Sequence, residues 1–157
     1  MISKIMDKTY SIPDVIVFSY GTNDTVYSGK NYIFKSYEEI KNLSFKNKNF
    51  YTLEGGLSSS ILLCKEFFPN ARIYVFSPIQ SKDSFRNSKN LEKIESIKEI
   101  CNLLNVNFID MFNNCKITFE TENSENPYLY DGLHPNENGA KEIGECAAYL
   151  MKEIKEL

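Results

Sequence analysis

The sequence predicts an α/β fold, specifically a three-layer α/β/α sandwich with a parallel sheet. Three short apolar runs end in polar or turn residues, as strands do: Val15 to Tyr20, Ile73 to Ser77, and Asn107 to Asp110. The runs lack polar alternation, which indicates a sheet with both faces covered by helices. Helical patterns separate and follow the runs, as expected for parallel strands. Because ligands in such folds bind beyond the carboxyl ends of the strands, functional residues are expected there.

Three amphipathic patterns predict the helices. The first ends at Pro69 and places Leu57, Ile61 and Cys64 on one face. The second takes Asn90 as its N-cap, and its apolar residues recur at intervals of three and four: Leu91, Ile94, Ile97, Cys101 and Leu104. The third takes Asn136 as its N-cap and has its own apolar face: Ala140, Ile143, Ala147, Leu150, Met151 and Ile154. Two long irregular stretches, Thr25 to about Phe50 and Asn113 to Tyr130, are interpreted as lids or recognition loops.

The length and the net charge of the chain limit which domain organisation and which partners are expected. A chain of 157 residues predicts a single domain over residues 1–157. The net charge of -3 is spread over 18 basic and 21 acidic residues without a like-charged block, so nucleic acid is not expected as a partner. Met1 to Ile12 lacks the apolar core of a signal peptide, and no run reaches membrane-spanning length. A cytoplasmic protein is expected, with secretion left open if a preceding segment carries a signal.

The cysteines and the single histidine argue against disulfides and metals. Cys64, Cys101, Cys115 and Cys146 are far apart and lack C-x-x-C spacing, so reduced and mostly buried thiols are expected. One histidine cannot supply the clustered imidazoles that zinc sites usually use. The sequence therefore predicts neither a metal nor any other cofactor.

The segment Gly21-Thr22-Asn23-Asp24 directly follows the first predicted strand. Gly21 and Asp24 would support a turn there, and the Asn23 side chain could donate its amide hydrogens to an oxyanion. One such donor contributes about 3 kcal/mol of transition-state stabilisation in acyl transfer. The alternative is that Asn23 and Asp24 only hydrogen-bond their own backbone in a turn.

The second chemically suggestive segment, Asp131-Gly132-Leu133-His134-Pro135-Asn136, precedes the last predicted helix. With Gly132 permitting a tight turn, Asp131 could accept a hydrogen bond from Nδ1 of His134. That bond would leave Nε2 free to act as a general base for a hydroxyl nucleophile. The alternative is a histidine that only caps or packs near the start of a helix.

Together, these segments resemble the SGNH, or GDSL-type, family of serine esterases. Pro13 to Phe18 leading into Gly21-Thr22-Asn23-Asp24 resembles the third block of the family, and Asp131 to Asn136 resembles the fifth. The segments between them also resemble bacterial members in order and spacing: Phe50 to Leu53, Pro69 to Ile73, and Ser77 to Gln80. The resemblance covers nearly the whole chain. It implies a flavodoxin-like sandwich and hydrolysis of a small-molecule ester or acylated carbohydrate.

By this resemblance, Asn23 is an oxyanion-hole residue, His134 is the general base and Asp131 is the acid that orients it. The family's serine lies in a Gly-Asp-Ser block, and a second block supplies an oxyanion-hole glycine; both precede the strand that here starts at Pro13. Met1 to Ile12 contains neither a glycine nor Gly-Asp-Ser, so neither residue can be assigned to this sequence. The resemblance thus implies a domain that is incomplete at the N-terminus, weakly active or inactive, with an unknown nucleophile.

Other nucleophiles are less favoured. Ser77 ends the second predicted strand, but Pro78 follows it in what resembles an ordinary strand-end segment of the family. Ser58 to Ser60 lie within a predicted helix, where hydroxyls usually bond a preceding carbonyl. The cysteines lie in helical patterns or, for Cys115, in a loop without an activating neighbour.

Two alternatives to catalysis remain. A non-catalytic module could keep the pocket and bind a carbohydrate or acylated ligand through loop aromatics: Tyr27, Tyr32, Phe34 and Tyr37. A phosphate or nucleotide binder is less favoured because no glycine-rich loop follows a predicted strand. If the family's first strand is missing, the strand from Val15 to Tyr20 has an unpaired apolar edge, through which the protein could self-associate.

Overall fold

The computed structural model describes residues 11–24, 32–44 and 46–154. Its sheet has three parallel strands in the order β1 (Val15–Ser19), β2 (Arg72–Phe76) and β3 (Asn107–Ile109). The predicted α/β sandwich is confirmed, and each strand boundary lies within one residue of its prediction.

The strand register aligns the carboxyl ends that carry the candidate site. Ser19 of β1 lies opposite Phe76 of β2, and Phe76 lies opposite Ile109 of β3. The segments that follow the three strands therefore leave the sheet at one edge, as parallel pairing requires.

In the part of the chain that the structure describes, six helices accompany the sheet: α1 (Tyr37–Ile40), α2 (Leu53–Phe67), α3 (Ser84–Leu104), α4 (Met111–Asn114), α5 (Phe119–Glu122) and α6 (Glu137–Glu153). A 3₁₀ turn at Lys48–Tyr51 precedes α2, which Thr52 caps by accepting from the backbone N–H of Gly55. Asn136 caps α6 by accepting from the N–H of Gly139, so this predicted N-cap is confirmed.

The core is divided between the two faces of the sheet. Ile73 and Val75 of β2 pack in the cluster that includes residues of α2 and α3. Tyr74 packs in the cluster on the other face, which includes Ile109 of β3 and Ala147 of α6. Since successive residues of a strand point to opposite faces, the side chains of central β2 from Ile73 to Phe76 meet one helix layer or the other. This burial explains why the sequence of β2 lacks polar alternation.

The predicted start of the second helix is wrong. Helix α3 begins at Ser84, where the Asp83 side chain accepts hydrogen bonds from two backbone N–H groups, whereas Asn90 lies inside the helix and is 1% exposed. Leu91, predicted for the apolar face, is exposed. Mostly polar residues in the first two turns concealed the start, because the apolar pattern appears only where the helix enters the core.

The stretches predicted to be irregular contain short helices. The first contains α1 and the 3₁₀ turn, although residues 25–31 and 45 lie outside the described part. The second contains α5, where Thr118 and Thr121 bond each other's backbone N–H in a capping box. Side-chain hydrogen bonds with the backbone therefore order a segment that lacks an apolar period.

One face of β1 is open in the described part of the chain, contrary to the predicted coverage of both faces. Ile16 and Phe18 pack in the cluster with α2 and α3, whereas Val15 and Val17 are exposed, the latter by 46%. Within the described residues, β1 pairs only with β2. None of the described helices is long and apolar enough to cross a membrane.

Candidate active site

A cavity of about 260 Å³ opens beyond the carboxyl ends of β1 and β2. Asn23 lines it from the loop after β1, and His134 lines it from the loop before α6. Much of the remaining wall is apolar: Phe76, Pro78, Ile79, Met111, Leu133 and Ile143. The fold thus brings together two polar side chains from distant parts of the sequence, at the edge where parallel α/β sheets bind ligands.

Asp131 holds His134 through both its backbone and its ring. Oδ1 of Asp131 accepts from the backbone N–H groups of Leu133 (2.9 Å) and His134 (2.7 Å). Oδ2 lies 2.7 Å from Nδ1 of His134. The bend requires Gly132, whose φ of +82° favours glycine and whose added Cβ would lie 2.9 Å from Cβ of Lys82.

The electrostatics of this pair define the histidine tautomer. The backbone N–H of His134 and then its ring lower the pKa of Asp131 from 3.8 to about 2. Asp131 is therefore ionised near neutral pH and can only accept hydrogen bonds, so Nδ1 of His134 carries the hydrogen. In a neutral imidazole this leaves Nε2 unprotonated and able to accept a proton.

The His134 loop is attached to the preceding segment by several backbone contacts. The N–H of Tyr130 donates to the carbonyl of His134 (3.0 Å), and the Tyr130 ring stacks on the imidazole with a centroid distance of 5.8 Å. Asn136 donates from its backbone to Tyr128 (2.9 Å) and from its side chain to Pro127 (2.8 Å). These contacts fix the histidine relative to the start of α6.

A buried carboxylate binds the backbone of the segment that precedes the His134 loop. Glu122 of α5 is 1% exposed and accepts from the backbone N–H groups of Tyr128 (2.9 Å) and Leu129 (3.1 Å). Leu129 in turn forms an antiparallel bridge with Pro135, next to His134. Glu122 was not predicted, because its partners lie six and seven residues later in an irregular segment and no periodic pattern marks the residue.

The loop that presents Asn23 is a tight turn. The N–H of Asp24 donates to the carbonyl of Gly21 (3.2 Å), and Gly21 has a φ of +106°. A Cβ at Gly21 would lie 3.3 Å from Cδ1 of Ile97. The turn therefore packs directly against α3, and the Asn23 side chain remains exposed at the cavity.

A second cavity, of about 400 Å³, lies on the other side of this turn. Thr22 and Asn23 line both cavities, and α3 contributes Phe85, Arg86 and Lys93 to the second. None of these α3 residues was predicted as part of the site. A further cavity of about 390 Å³ opens near the amino ends of β2 and β3, away from Asn23 and His134.

Two serines line the first cavity. Ser77 is 2% exposed, and its Oγ accepts from the N–H of Phe112 (2.9 Å). Ser19, which the sequence analysis did not single out, is exposed at the end of β1. Within the described part, the hydrogen-bond partner of the His134 ring is Asp131 and no serine bonds that ring. The nucleophile is therefore not assigned.

The other serines and the cysteines that were considered as nucleophiles have the structural surroundings that the sequence predicts. The hydroxyls of Ser58 to Ser60 bond helical carbonyls three or four residues earlier, which confirms their structural role. The four cysteines are free thiols and three are buried, as predicted. Burial raises the pKa of Cys101 to about 12 and contributes most to raising that of Cys146 to about 11, so their thiolates are scarce.

Of the loop aromatics that the structure describes, Tyr32 and Phe34 contact each other edge to face, with ring centroids 5.0 Å apart. Phe34 is buried and packs against Phe50, whereas Tyr37 packs against Phe67. Tyr32 is exposed, and Tyr27 lies outside the described residues. Within residues 11–24, 32–44 and 46–154, no group of three or more His, Cys, Asp or Glu side chains could hold a metal ion.

Solved structures share this fold. A protein from Lactobacillus plantarum is 18% identical, with a TM-score of 0.65 over 99% of this chain and 74% of its own. A candidate GDSL-like lipase from Bacteroides ovatus is 20% identical, with a TM-score of 0.55 over 98% of this chain and 59% of its own. A candidate lipase from Chitinophaga pinensis is 20% identical, with a TM-score of 0.58 over 97% of this chain and 77% of its own.

These structures establish an α/β fold of the kind found in GDSL-like proteins. No protein-family model matches the sequence, and no curated protein matches it.

Proposed function

We propose that the protein is a serine ester hydrolase of the SGNH type, and that this chain carries the general base and an oxyanion-hole residue. The observation that carries the proposal is that Asn23 and His134 line one cavity while Asp131 fixes the His134 ring. The similar fold of two candidate lipases supports it.

In the proposed reaction, a serine oxygen attacks the ester carbonyl and Nε2 of His134 takes the hydroxyl proton. The carbonyl oxygen becomes an oxyanion that the Asn23 amide stabilises. The intermediate collapses, the C–O bond to the alcohol breaks, and His134 returns the proton to the departing oxygen. Water then repeats the sequence on the acyl-enzyme and releases the acid.

The cavity favours a small substrate. Its volume of about 260 Å³ lies below the usual range for drug-sized ligands, about 300–1,000 Å³, and much of its wall is apolar. A short acyl group is both small enough for this volume and apolar like the wall. Esters of simple alcohols and acylated carbohydrates are the proposed substrate classes.

The proposal is tested with purified protein and short-chain nitrophenyl esters. We expect at most slow hydrolysis, since the chain has no assigned nucleophile, and the substitution His134→Ala should reduce it to the background rate because the base would be lost. Asn70→Ala, an exposed asparagine in the turn before β2, is the matched surface control. Equal rates for the wild type and His134→Ala would reject ester hydrolysis by this chain.

A fluorophosphonate probe then identifies the nucleophile. A covalent adduct with loss of fluoride would mark an activated serine, and peptide mapping would assign it to Ser19, Ser77 or a serine outside the described residues. Absence of both an adduct and His134-dependent hydrolysis, with retained binding of a short-chain acid, would favour the non-catalytic binding module.

A further inference from the structure

Lys93 is a buried charged residue of α3 at the wall of the second cavity. It is 6% exposed, and it shares the buried face of the helix with Ile94 and Ile97. Removing an ammonium group from water is costly unless its hydrogens find acceptors. A methionine would fill similar space without that cost, so packing alone does not account for a lysine here.

The Lys93 ammonium finds its acceptors on the turn that carries Asn23. Nζ donates to the carbonyl of Gly21 at 2.9 Å and lies 3.4 Å from the carbonyl of Thr22. These carbonyls belong to the two residues that directly precede Asn23. Burial lowers the pKa of Lys93, and the nearby carboxylate of Asp24 opposes that effect.

Among the described residues, few other hydrogen bonds hold this turn, which also packs through Gly21 against Ile97. Its internal hydrogen bond runs from Asp24 to the same Gly21 carbonyl, and Arg86 makes only a long contact of 3.5 Å with Thr22. Gly21 also has a positive φ, and because glycine adopts positive and negative φ about equally readily, its own preference does not fix the turn. Lys93 therefore joins the buried face of α3 to the backbone that directs Asn23.

We propose that Lys93 is a positioning residue, which holds the Gly21–Asn23 turn so that the Asn23 amide faces the cavity shared with His134. The proposal rests on the proposed esterase function for its catalytic consequence, but the geometric role can be measured independently. Lys93 acts through Asn23 and does not contact the reacting atoms.

The test compares Lys93→Met and Lys93→Arg with Lys98→Met. Lys98 lies on the same helix in an exposed ion pair with Glu95, so its substitution controls for loss of a lysine from α3. We expect Lys93→Met to lower kcat about tenfold or more with little change in KM, since small misplacements of catalytic groups can cost up to about 100-fold. Lys93→Arg should recover part of kcat, because a guanidinium also donates to carbonyls.

Amide NMR supplies a readout that does not need activity. In Lys93→Met, the backbone signals of Gly21 to Asp24 and the side-chain amide of Asn23 should shift, while signals from the sheet stay in place. Unchanged Asn23 signals in a folded variant, or kcat equal to that of Lys98→Met, would overturn the role of Lys93. If Lys93→Met does not fold, Lys93→Gln and Lys93→Arg provide the same comparison.

The two proposals fail in different ways. An inactive wild type with the expected Asn23 shifts would reject the esterase function and retain the structural role of Lys93. An active wild type whose kcat is insensitive to Lys93→Met would retain the esterase function and reject Lys93 as a positioning residue.

Discussion

Asp131 contacts His134 twice, through the backbone N–H at 2.7 Å and through Nδ1 of the ring at 2.7 Å. One carboxylate therefore fixes both the path of the loop and the orientation of the imidazole. The two contacts make different contributions, which can be separated by substitution.

The carboxylate of Asp131 should titrate near pH 2, because the backbone N–H and the ring of His134 lower its pKa from 3.8 to about 2. Since the pKa is lower in the folded state than in the unfolded state, the resulting stabilisation is present above pH 3.8 and is lost as the pH falls through about 2. Carbon-13 NMR of the carboxyl group measures the midpoint. In His134→Ala the midpoint should rise only partly, because the backbone bond persists; a midpoint near 3.8 in the wild type would contradict the geometry.

Asn23→Ala should lower kcat for ester hydrolysis by about 10²–10³-fold, the usual effect of losing one oxyanion-hole donor. KM should change little, because the amide interacts mainly with charge that develops in the transition state. Steady-state kinetics on a nitrophenyl ester provide the measurement, with Asn70→Ala as the exposed control. A rise in KM at constant kcat would instead assign Asn23 to ground-state binding.

Glu122→Gln should destabilise the loop that carries His134. The amide retains one acceptor oxygen for two N–H donors, of which that of Leu129 is buried, and lost hydrogen bonds to charged groups cost about 1.5–3 kcal/mol. Denaturant unfolding should show that loss, and hydrogen exchange should accelerate at Tyr128 and Leu129. Glu120→Gln, an exposed position on the same helix, should leave both unchanged. Equal exchange rates in the two variants would show that Glu122 does not hold the loop.

Two glycine substitutions should change the stability of the protein in opposite directions. Gly132→Ala should destabilise the protein by at least about 1–2 kcal/mol, because an alanine resists the positive φ and its Cβ meets Lys82. Gly144→Ala should stabilise it by about 0.5–1 kcal/mol, because the position is helical and nothing lies within 4 Å of the added Cβ. Thermal unfolding measures both, and stabilisation by Gly132→Ala would contradict the observed turn.

The exposed face of β1 and its edge, which pairs with no other strand of the described residues, should support self-association. Val17→Lys places a charge on this apolar strand and should lower the average mass measured by light scattering at high concentration. Leu103→Lys, which also replaces an exposed apolar residue but lies on α3, should leave the mass unchanged. A monomeric wild type at every concentration would rule out this contact.

The sequence predicted the features that depend on short-range pattern. The apolar run at Val15 identified β1, and the spacing of Asp131 and His134 identified two side chains that the structure places in contact. The start of α3 was missed because Asp83 caps a helix whose first turns are mostly polar and face solvent. An N-cap of this kind gives a clear signal only when an apolar period follows it closely.

The supporting residues were missed for a different reason. Lys93 binds carbonyls 71 and 72 residues earlier in the sequence, and Glu122 binds N–H groups six and seven residues later in an irregular segment. No periodic pattern reveals partners of either kind. A signal did exist for Lys93, since a lysine that shares a helix face with Ile94 and Ile97 is directed into the core. A charge at a core position therefore indicates a residue that binds polar groups inside the protein.

The direction of β1 determines how the cavities of two molecules paired along this strand would be oriented. Two copies joined along this edge, across a twofold axis perpendicular to the sheet, would run antiparallel at the junction. Because the cavity lies beyond the carboxyl end of β1, the two cavities would then open toward opposite ends of the joined sheet. Dimerisation of this kind would pair the backbone edge of β1 and keep the two reaction centres at opposite ends of the joined sheet.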